Sequence, residues 1–539
     1  MAKKLKRSDE KTFLGIHANG PVFFSSLFVV ALLIAVTLIV GEPMEQWFVR
    51  AQDLVSSNVG WFYILLVNAL LLFAVFIGAS KYGKIRLGGP NAKPQFSRTA
   101  WFSMLFSAGM GIGLLFWSVA EPITHFKSNP LNSVGSELEA ATSAMGITFL
   151  HWGVHAWAIY AIVALALAFF TFNKRLPLTI RSIFYPLFGK KIYGWVGDLI
   201  DIISVIATLF GLGTSLGFGA QQVNAGLSYL FNFQYGTWVQ IVIIVVITAF
   251  ATISLVLGLD KGIRRLSEWN MRLALVLLVF VILLGPTLFI FKSFVQNIGH
   301  YINEFFELSF WTASYRNAKD ITSWQNQWTV FYWSWWIAWS PFVGIFIARV
   351  SKGRTIKEFI LGVMLVPTLL TFLWISVFGG SAIFQELNGF TGISEAVQNN
   401  VATAIYHLLE RFPFSFLTSL LAVLLVASFF ITSSDSGSMV VDTLTSGGRH
   451  DAPTGQKIFW ASMEGTVAGI LLIGGGLTAL QTATVLTGLP FAIVLIVMCF
   501  SFYKSLTSYY DKNYRRGEKD GPDRKTPLKE PVEAEKNVL

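Results

Sequence analysis

The chain has 539 residues, of which 54% are hydrophobic and 13% are charged, and its formal net charge is +10 at pH 7. Soluble domains usually contain about 25% charged residues, so this composition excludes a soluble globular protein and predicts an all-α membrane protein. The single cysteine, Cys499, excludes a disulfide framework.

Apolar runs of about 20 residues, the length that crosses a bilayer, recur along the chain. They predict twelve transmembrane helices, near residues 22–41, 61–80, 101–120, 142–171, 195–230, 237–258, 271–297, 324–347, 357–386, 414–440, 458–480 and 483–506. Lysine and arginine are concentrated in the loops after the even-numbered helices, and the opposite loops are acidic or mixed. The positive-inside rule therefore predicts that both termini are cytoplasmic, and the net charge requires no nucleic-acid partner.

The predicted helices divide the chain into six parts. These are a cytoplasmic N-terminal tail at 1–21, two peripheral helices within 22–100, a first block of five helices at 101–300, an amphipathic connection on the outer side at 301–323, a second block at 324–506 and a cytoplasmic C-terminal tail at 507–539. The C-terminal tail mixes both charge signs with glycine and proline, which predicts disorder and no strong attraction to anionic lipid.

Two of the predicted helices contain breaks. The third has the glycine-rich stretch SAGMGIG, Ser107 to Gly113, and the eighth has Ser340-Pro341 followed by Gly344. Unwound backbone inside a membrane is tolerated only where it lines a cavity or is packed in protein. Each break lies in the first helix of a five-helix block, and the odd number of helices inverts the second block. Paired broken helices in inverted repeats are typical of secondary transporters; close packing of glycine-rich helices is the alternative.

Aromatic residues are concentrated in the fourth and eighth predicted helices, in the stretches HWGVHAWAIY and FYWSWWIAWSPFVG. On the fourth helix, Trp152, Trp157 and Tyr160 spread over an arc of about 140°, because each residue turns the helix by about 100°. Aromatic faces of this kind bind quaternary ammonium groups. The alternative is an aromatic belt at the membrane interface, which suits Trp47, Trp61 and Trp101 better than clusters inside a helix or beside a break.

Four motifs make the sequence resemble the betaine/choline/carnitine transporter family over about residues 60–505: GMGIGLLFWSVAEPITHF, HWGVHAWAIYA, YWSWWIAWSPFVGIFIARVSKGRTIKEFILG and FFITSSDSGS. The resemblance implies twelve transmembrane helices with a five-plus-five inverted repeat of the LeuT-like kind, and commonly a homotrimer. It implies trimethylammonium substrates. It also implies an aromatic box for the ammonium group, formed by Trp152, Trp157, Tyr160 and Trp336. Trp339 and Phe331 match aromatic residues that the substrate meets nearer the cytoplasmic side.

The resemblance places the substrate carboxylate against the backbone of the broken third helix, at Gly109, Met110, Gly111 and Gly113. Free amide N–H groups at a helix break favour an anion there on physical grounds alone. Choline-preferring relatives tend to carry aspartate at the position of Gly113, so glycine favours a zwitterion such as glycine betaine. Carnitine, proline betaine, ectoine and a sulfonium analogue stay open as substrates.

The stretch FFITSSDSGS in the tenth predicted helix provides hydroxyl groups beside Asp435. In sodium-coupled relatives, a matching site joins the side chains of Thr432 and Ser433 to backbone carbonyls that correspond here to Ser107, Met110 and Phe429. The alternative is that these hydroxyls bond their own i−4 carbonyls. We interpret Asp435 as a support behind the sodium ligands, with a proton site as the alternative.

Other polar positions are less informative. A second sodium site of the family uses two threonines one turn apart; Thr208 matches the first, but Leu212 stands at the second. His151 and His155 are spaced i, i+4, as a metal pair would be, but no third ligand is apparent. We expect no metal other than sodium. Glu121 is expected to cap the outer end of the third helix.

The resulting prediction is a plasma-membrane (cell inner membrane) transporter for osmoprotection, which takes up glycine betaine by sodium symport with alternating access. Its expected partners are an onium substrate, membrane lipid and copies of itself, and its expected coupling ion is sodium. No metal motif, nucleophile elbow or nucleotide loop favours an enzyme, and no cofactor is expected. A proton-coupled transporter and a sodium-independent exchanger of betaine, carnitine or choline are the alternatives.

Overall fold

The computed structural model describes residues 12–13, 16–41, 43–109, 111–132, 135–257, 264–314, 323–449 and 453–515. The described strands are one two-residue antiparallel pair, Thr12–Phe13 with Ile16–His17. The α-helices are α1 (Gly20–Val40), α2 (Met44–Ala79), α3 (Arg98–Gly109), α4 (Ile112–Lys127), α5 (Glu137–Trp152), α6 (Val154–Ala168), α7 (Tyr185–Phe188), α8 (Trp195–Phe231), α9 (Thr237–Leu257), α10 (Arg264–Leu284), α11 (Thr287–Asn303), α12 (Phe305–Phe310), α13 (Phe331–Val350), α14 (Ile356–Leu387), α15 (Gly392–Asn399), α16 (Ala404–Glu410), α17 (Ser415–Thr445) and α18 (Thr454–Tyr510). The predicted all-α class is confirmed.

Ten helices in the described part of the chain are long and apolar enough to cross a membrane. The third predicted crossing is not among them, because it is divided into α3 and α4, of 12 and 16 residues. The last two predicted crossings lie in the single 57-residue helix α18. At 1.5 Å per residue, α18 is about 85 Å long, roughly twice the thickness of a bilayer. The count of twelve crossings and the inverted repeat stay predictions.

The helix α18 turns at Gly475 and Gly476, whose φ angles are +159° and +55°. Glycine adopts such angles without the steric cost that a Cβ would add. The sequence placed the boundary between the last two crossings a few residues later, at 481–482. The helix also passes residue 507, where a disordered tail was predicted to begin, and a π-turn follows at Asp511–Arg515. The predicted tail residues 516–539 lie outside the described residues.

The seventh predicted crossing, 271–297, is two helices rather than one. α10 ends at Leu284 and α11 begins at Thr287. Gly285 and Pro286 separate them, because proline has no backbone N–H to continue the helix and disfavours helical geometry in the residue before it. The predicted amphipathic connection at 301–323 holds the end of α11 and the short helix α12, and residues 315–322 lie outside the described residues.

The predicted break in the eighth helix is wrong. α13 continues through Pro341 to Val350. Pro341 cannot donate to the carbonyl of Ile337, but Ser340 Oγ donates to that carbonyl at 2.7 Å and replaces the missing bond. The fourth crossing, predicted as continuous, is instead interrupted at Gly153, between α5 and α6.

The interrupted fourth crossing and α13 form the centre of the molecule. In the apolar windows of Glu137–Asn173 and Ser323–Val350, 94% of residues are buried, against 28% for α1 and 22% for α10. Gly344 of α13 lies so close to α6 that a Cβ there would be 2.5 Å from Val163 Cγ1. A capping box at Ser136 and Glu139 starts α5 at residue 137, earlier than the predicted 142.

Candidate functional site

The break between α3 and α4 lies between α17 and a group of indole rings. A side chain at Gly111 would come within 3.5 Å of Ser433 Oγ on α17. A side chain at Gly113 would come within 2.6 Å of Trp335 and 3.4 Å of Trp152. The missing Cβ atoms therefore let this backbone approach both groups closely.

Three predicted residues at the break have limited descriptions. Ser107 and Gly109 belong to the last turn of α3, and the side chain of Ser107 is outside the described part of the structure. Met110 lies outside the described residues altogether. Its predicted roles, as a sodium ligand and beside the substrate carboxylate, stay predictions.

The four predicted box residues form one cluster. The ring centroids of Trp152 and Trp336 are 5.0 Å apart, those of Trp336 and Tyr160 are 6.2 Å apart, and those of Tyr160 and Trp157 are 5.6 Å apart. The corresponding ring planes cross at 70°, 78° and 84°. All four side chains are buried. Helices α5, α6 and α13 therefore bring together π faces that point in different directions, as the walls of a cage do.

The two further aromatic residues lie on opposite sides of Trp336 along α13. Trp339 lies 6.3 Å from Tyr160 and so extends the cluster towards the C-terminal end of the helix. Phe331 stacks on Trp335 at 5.5 Å and faces Phe218 at 6.3 Å, beside α8. The prediction that the substrate meets both residues nearer the cytoplasmic side stays a prediction.

A buried carboxylate adjoins the box. Trp152 Nε1 donates to Glu121 Oε2 at 2.8 Å, and the Tyr332 hydroxyl donates to the same oxygen. Glu121 Oε1 lies 2.6 Å from His151 Nδ1 and 3.5 Å from His125 Nε2. The expected role of Glu121 as a helix cap is wrong, because it is fully buried inside α4 and faces α5 and α13.

The two histidines of the fourth crossing, His151 and His155, have different hydrogen-bond partners. His151 bonds Glu121, and its Nε2 lies 3.0 Å from Thr329 Oγ1. His155 begins a different helix, and its Nε2 lies 3.2 Å from Asn68 Oδ1. Glycine at position 153 interrupts the helix between them, so the i, i+4 spacing does not produce a shared face.

Two other metal-ligating side chains that the sequence did not reveal lie near His151. Glu121, His125 and His151 each offer one ligand atom, and these atoms lie within 4.8 Å of one another. Three ligands at such distances could hold a metal ion such as Zn²⁺ after small movements. However, both oxygens of Glu121 already accept hydrogen bonds from indole, phenol and imidazole groups, so the arrangement is that of a hydrogen-bonded network.

The predicted sodium residues Thr432 and Ser433 are neighbours on α17 but make different contacts. The Thr432 hydroxyl donates to the carbonyls of Ser428 and Phe429 at 3.2 and 3.1 Å, and it accepts from Asn270 Nδ2 at 3.0 Å. This is the internal bonding that the alternative interpretation expected. Ser433 Oγ faces Gly111 across a short gap. Of the predicted sodium ligands on α17, the Ser433 hydroxyl is therefore the one that lies beside the broken helix, and the Phe429 ring also approaches Gly111, at 3.9 Å from the position of a Cβ there.

At the second sodium site of the family, Leu212 stands where a threonine ligand is expected, and the structure shows the surroundings of this side chain. Thr208 Oγ1 donates to the Ser204 carbonyl at 2.7 Å. Leu212 packs against α17, where a Cβ on Gly437 would be 2.5 Å from its Cδ1. An apolar side chain therefore occupies the position one turn after Thr208, and it provides no oxygen ligand.

Two acids are buried beside the sodium residues. Asp435 accepts hydrogen bonds from Ser254 Oγ at 2.7 Å and from Ser436 Oγ at 3.1 Å. Glu464 of α18 is fully buried; its Oε2 accepts from Ser434 at 3.4 Å, and its Oε1 bonds no described residue. Charged groups inside a membrane are costly and usually functional. Asp435 stands out in the sequence beside its hydroxyl neighbours, whereas no motif around Glu464 points to it.

A cavity of about 260 Å³ lies beside the network, lined by residues that include Trp117, Lys127, Trp328 and Gln481. The Trp328 ring is 4.5 Å from His125 and 6.3 Å from Tyr332. The cavity is therefore separated from the aromatic box by two layers of rings.

Replacing Gly113 with alanine is expected to raise the KM for the substrate about tenfold. The added Cβ would be 2.6 Å from Trp335, and Trp335 stacks at 4.7 Å on the box residue Trp336. Overpacking of this kind typically costs 1–3 kcal/mol, roughly a factor of ten in affinity. Uptake into proteoliposomes measures the change. Gly469→Ala, where a Cβ would meet nothing within 4 Å, is the matched control, and equal KM values for both variants would contradict the prediction.

The chain is similar to known membrane transporters. A family model described as the betaine/carnitine/choline family transporter matches residues 21–511. A glycine betaine transporter of Acinetobacter baylyi is 44% identical over 491 residues, which cover 91% of this chain and 74% of the relative. A glycine betaine/proline/choline transporter of Vibrio parahaemolyticus is 45% identical over 509 residues, or 91% of each chain. The glycine betaine transporter OpuD of Bacillus subtilis is 43% identical over 486 residues, covering 90% of this chain and 94% of the relative.

Proposed function

The chain belongs to the betaine/carnitine/choline transporter family, since the family model spans residues 21–511, and it is a membrane transporter rather than an enzyme; from this premise we propose that it takes up glycine betaine by sodium symport. Three similar proteins named as glycine betaine transporters support the substrate. The observation that carries the proposal is the convergence of Trp152, Trp157, Tyr160 and Trp336 beside a broken helix.

Aromatic rings suit this substrate for a physical reason. A trimethylammonium group carries a positive charge but has no N–H to donate, so polar side chains gain little from it. The π faces of tryptophan and tyrosine attract the charge directly, with about 2 kcal/mol or more per contact in a desolvated site. Buried rings on α5, α6 and α13 provide such a site.

The carboxylate of glycine betaine needs donors on the other side of the site. The backbone around Gly111 and Gly113 interrupts a helix beside the rings, and amide groups at the start of α4 favour an anion. The Tyr160 hydroxyl and the Trp339 N–H are buried and bond no other described residue. We propose that both groups, which adjoin the box, donate to the substrate carboxylate.

Sodium is proposed to bind between α17 and the break, at Thr432, Ser433 and the carbonyls of Phe429, Ser107 and Met110. Ser433 Oγ lies beside Gly111, so an ion there would connect α17 to the helix that also contacts the substrate. One sodium ion entering through a membrane potential of 100 mV contributes about 2.3 kcal/mol. A single ion therefore supports useful accumulation, and Leu212 argues against a second.

The proposal also covers the repeats, the membrane topology and the oligomeric state. Residues 101–300 and 324–506 are proposed to form inverted repeats of five helices each, within twelve crossings in the plasma membrane, with both termini in the cytoplasm. Movement of one repeat against the other gives alternating access. A homotrimer is proposed from the family resemblance alone.

A proton-coupled mechanism is the second candidate, and a specific observation favours it. Asp435 and Glu464 are both buried near the sodium residues, and one oxygen of Glu464 bonds no described residue. A carboxyl group in such surroundings can carry a proton as the coupling ion. A sodium-independent exchanger is the third candidate.

Uptake of radiolabelled glycine betaine into proteoliposomes distinguishes the three mechanisms. We expect accumulation with an inward sodium gradient and a negative internal potential, little accumulation when N-methyl-D-glucamine replaces sodium, and no effect of a protonophore at fixed potential. Accumulation without sodium that a protonophore abolishes would contradict sodium coupling and favour the proton. Uptake that occurs only into vesicles preloaded with substrate would favour the exchanger.

A further inference from the structure

Glu121 is bonded to two different rings that surround the box. Its Oε2 accepts from Trp152 Nε1 on α5 and from the Tyr332 hydroxyl on α13. The Tyr332 ring packs beside two box residues, with its centroid 5.6 Å from that of Trp152 and 5.7 Å from that of Trp336. One oxygen atom therefore fixes the orientation of rings that belong to two helices.

The other oxygen of Glu121 is held by histidine. His151 Nδ1 lies 2.6 Å away, and the His151 ring stacks on Tyr332 at 4.7 Å. The backbone carbonyl of His151 also accepts from Trp336 Nε1 at 2.9 Å. Two facing tryptophans of the box are therefore held by this pair. Trp152 donates to Glu121, and Trp336 donates to the backbone carbonyl of His151.

An ionised carboxylate satisfies the donors around Glu121. Indole and phenol groups present N–H and O–H to its Oε2, and a carboxylate with no proton is a pure acceptor. Hydrogen bonds to a charged group contribute about 1.5–3 kcal/mol each, roughly twice those between neutral groups. A negative charge on the N–H side of an indole also polarises the ring and makes its π face more attractive to a cation.

The other groups that face Glu121 are few. His125 lies one turn along the same helix, with neither ring nitrogen hydrogen-bonded to a described residue. Trp328 packs against His125 at 4.5 Å. Lysine and arginine do not contact Glu121 among the described residues, so His151 and His125 are its charge partners there. Glu121, His125 and His151 are all buried. Only Trp328, which also lines the neighbouring cavity, is partly exposed.

We propose that Glu121, held by His151, is a positioning residue for substrate binding: its carboxylate sets the orientation of Trp152 and Tyr332 in the box. This inference rests on the proposed function, because it assigns the box to an onium substrate. Glu121 itself does not contact the substrate; it acts through the two rings that it holds. Loss of its charge should therefore weaken binding more than it slows transport at saturation.

Glu121→Gln is the decisive variant, because glutamine has nearly the same shape but replaces one acceptor oxygen with a donor group. We expect the Kd for radiolabelled glycine betaine, measured by equilibrium dialysis with the purified full chain, to rise about 10- to 100-fold. In proteoliposomes the KM should rise by a similar factor while Vmax changes little. A purely structural defect would lower Vmax and the amount of folded protein instead.

Tyr332→Phe tests the same connection from the other side, because it keeps the ring and removes only the hydroxyl that donates to Glu121. It should also raise the Kd, and it decides the question if Glu121→Gln fails to fold. Glu386→Gln is the matched control, since Glu386 is a buried acid paired with Lys127 at 3.0 Å and makes no contact with the box. Its Kd should equal that of the wild type.

The outcomes separate the inference from the proposed function. If the wild type binds no glycine betaine, the proposed function fails. If the wild type binds it, and Glu121→Gln and Tyr332→Phe bind equally well, only the positioning role of Glu121 is overturned. An equal loss in Glu386→Gln would also overturn it, because any buried acid would then have the same effect.

Discussion

Replacing Trp336 with leucine is expected to raise the KM for glycine betaine about 30-fold. Trp336 faces Trp152 and Tyr160 across the box, and leucine removes the π face while leaving an apolar side chain of moderate size. A cation–π contact in a desolvated site contributes about 2 kcal/mol, which corresponds to roughly a 30-fold change in affinity. Initial rates of uptake over a range of substrate concentrations measure the effect.

The control for this variant is another tryptophan with a different environment. Trp61 is 58% exposed on α2, as expected for a ring that faces lipid. Trp61→Leu should leave the KM unchanged. If both variants raised the KM alike, loss of tryptophan in general rather than loss of the box would explain the result, and the assignment of Trp336 to substrate binding would fail.

Removing the hydroxyls of Thr432 and Ser433 is expected to raise the sodium concentration needed for half-maximal uptake at least tenfold. Mutation of groups that only support a metal ligand typically lowers metal affinity 10- to 100-fold, and these side chains are proposed as ligands themselves. The double variant Thr432→Val, Ser433→Ala keeps the apolar volume of α17 nearly unchanged. Uptake measured against sodium concentration at saturating glycine betaine gives the result.

Ser428→Ala is the matched control for the sodium variant. Ser428 lies one turn before Thr432 on α17, and its hydroxyl donates to the Leu425 carbonyl at 3.0 Å. Its loss should leave the sodium dependence of uptake unaltered. An unchanged sodium requirement in the double variant would show that these hydroxyls only bond their own helix, as Thr432 does with Ser428 and Phe429.

The positions of the box residues could be predicted from the sequence because helical periodicity and the family motifs both point to them. Trp152, Trp157, Tyr160 and Trp336 were predicted together and lie together. The network beneath them could not be predicted in the same way. Glu121 belongs to a helix 30 residues before His151, and nothing in a linear sequence shows which way its side chain turns.

Some helix breaks could be predicted from the sequence and others could not, because a single side-chain hydrogen bond can decide whether a helix continues. The glycines from 109 to 113 separate two helices as expected. Pro341 does not break α13, because the hydroxyl of Ser340 satisfies the carbonyl that proline leaves free. Gly153 does interrupt a crossing, although a single glycine between apolar residues is a weak signal. Side-chain compensation of this kind depends on the rotamer and cannot be derived from residue type alone.

The most direct test of the account compares glycine betaine with 3,3-dimethylbutanoate, in which carbon replaces the ammonium nitrogen. The two compounds have nearly the same shape and the same carboxylate, but glycine betaine is a zwitterion, and only it carries the positive charge that the rings would recognise. In competition for binding of radiolabelled glycine betaine to the purified protein, we expect glycine betaine to be at least about 30-fold more potent. Equal potency would contradict the account, because the box would then recognise shape alone.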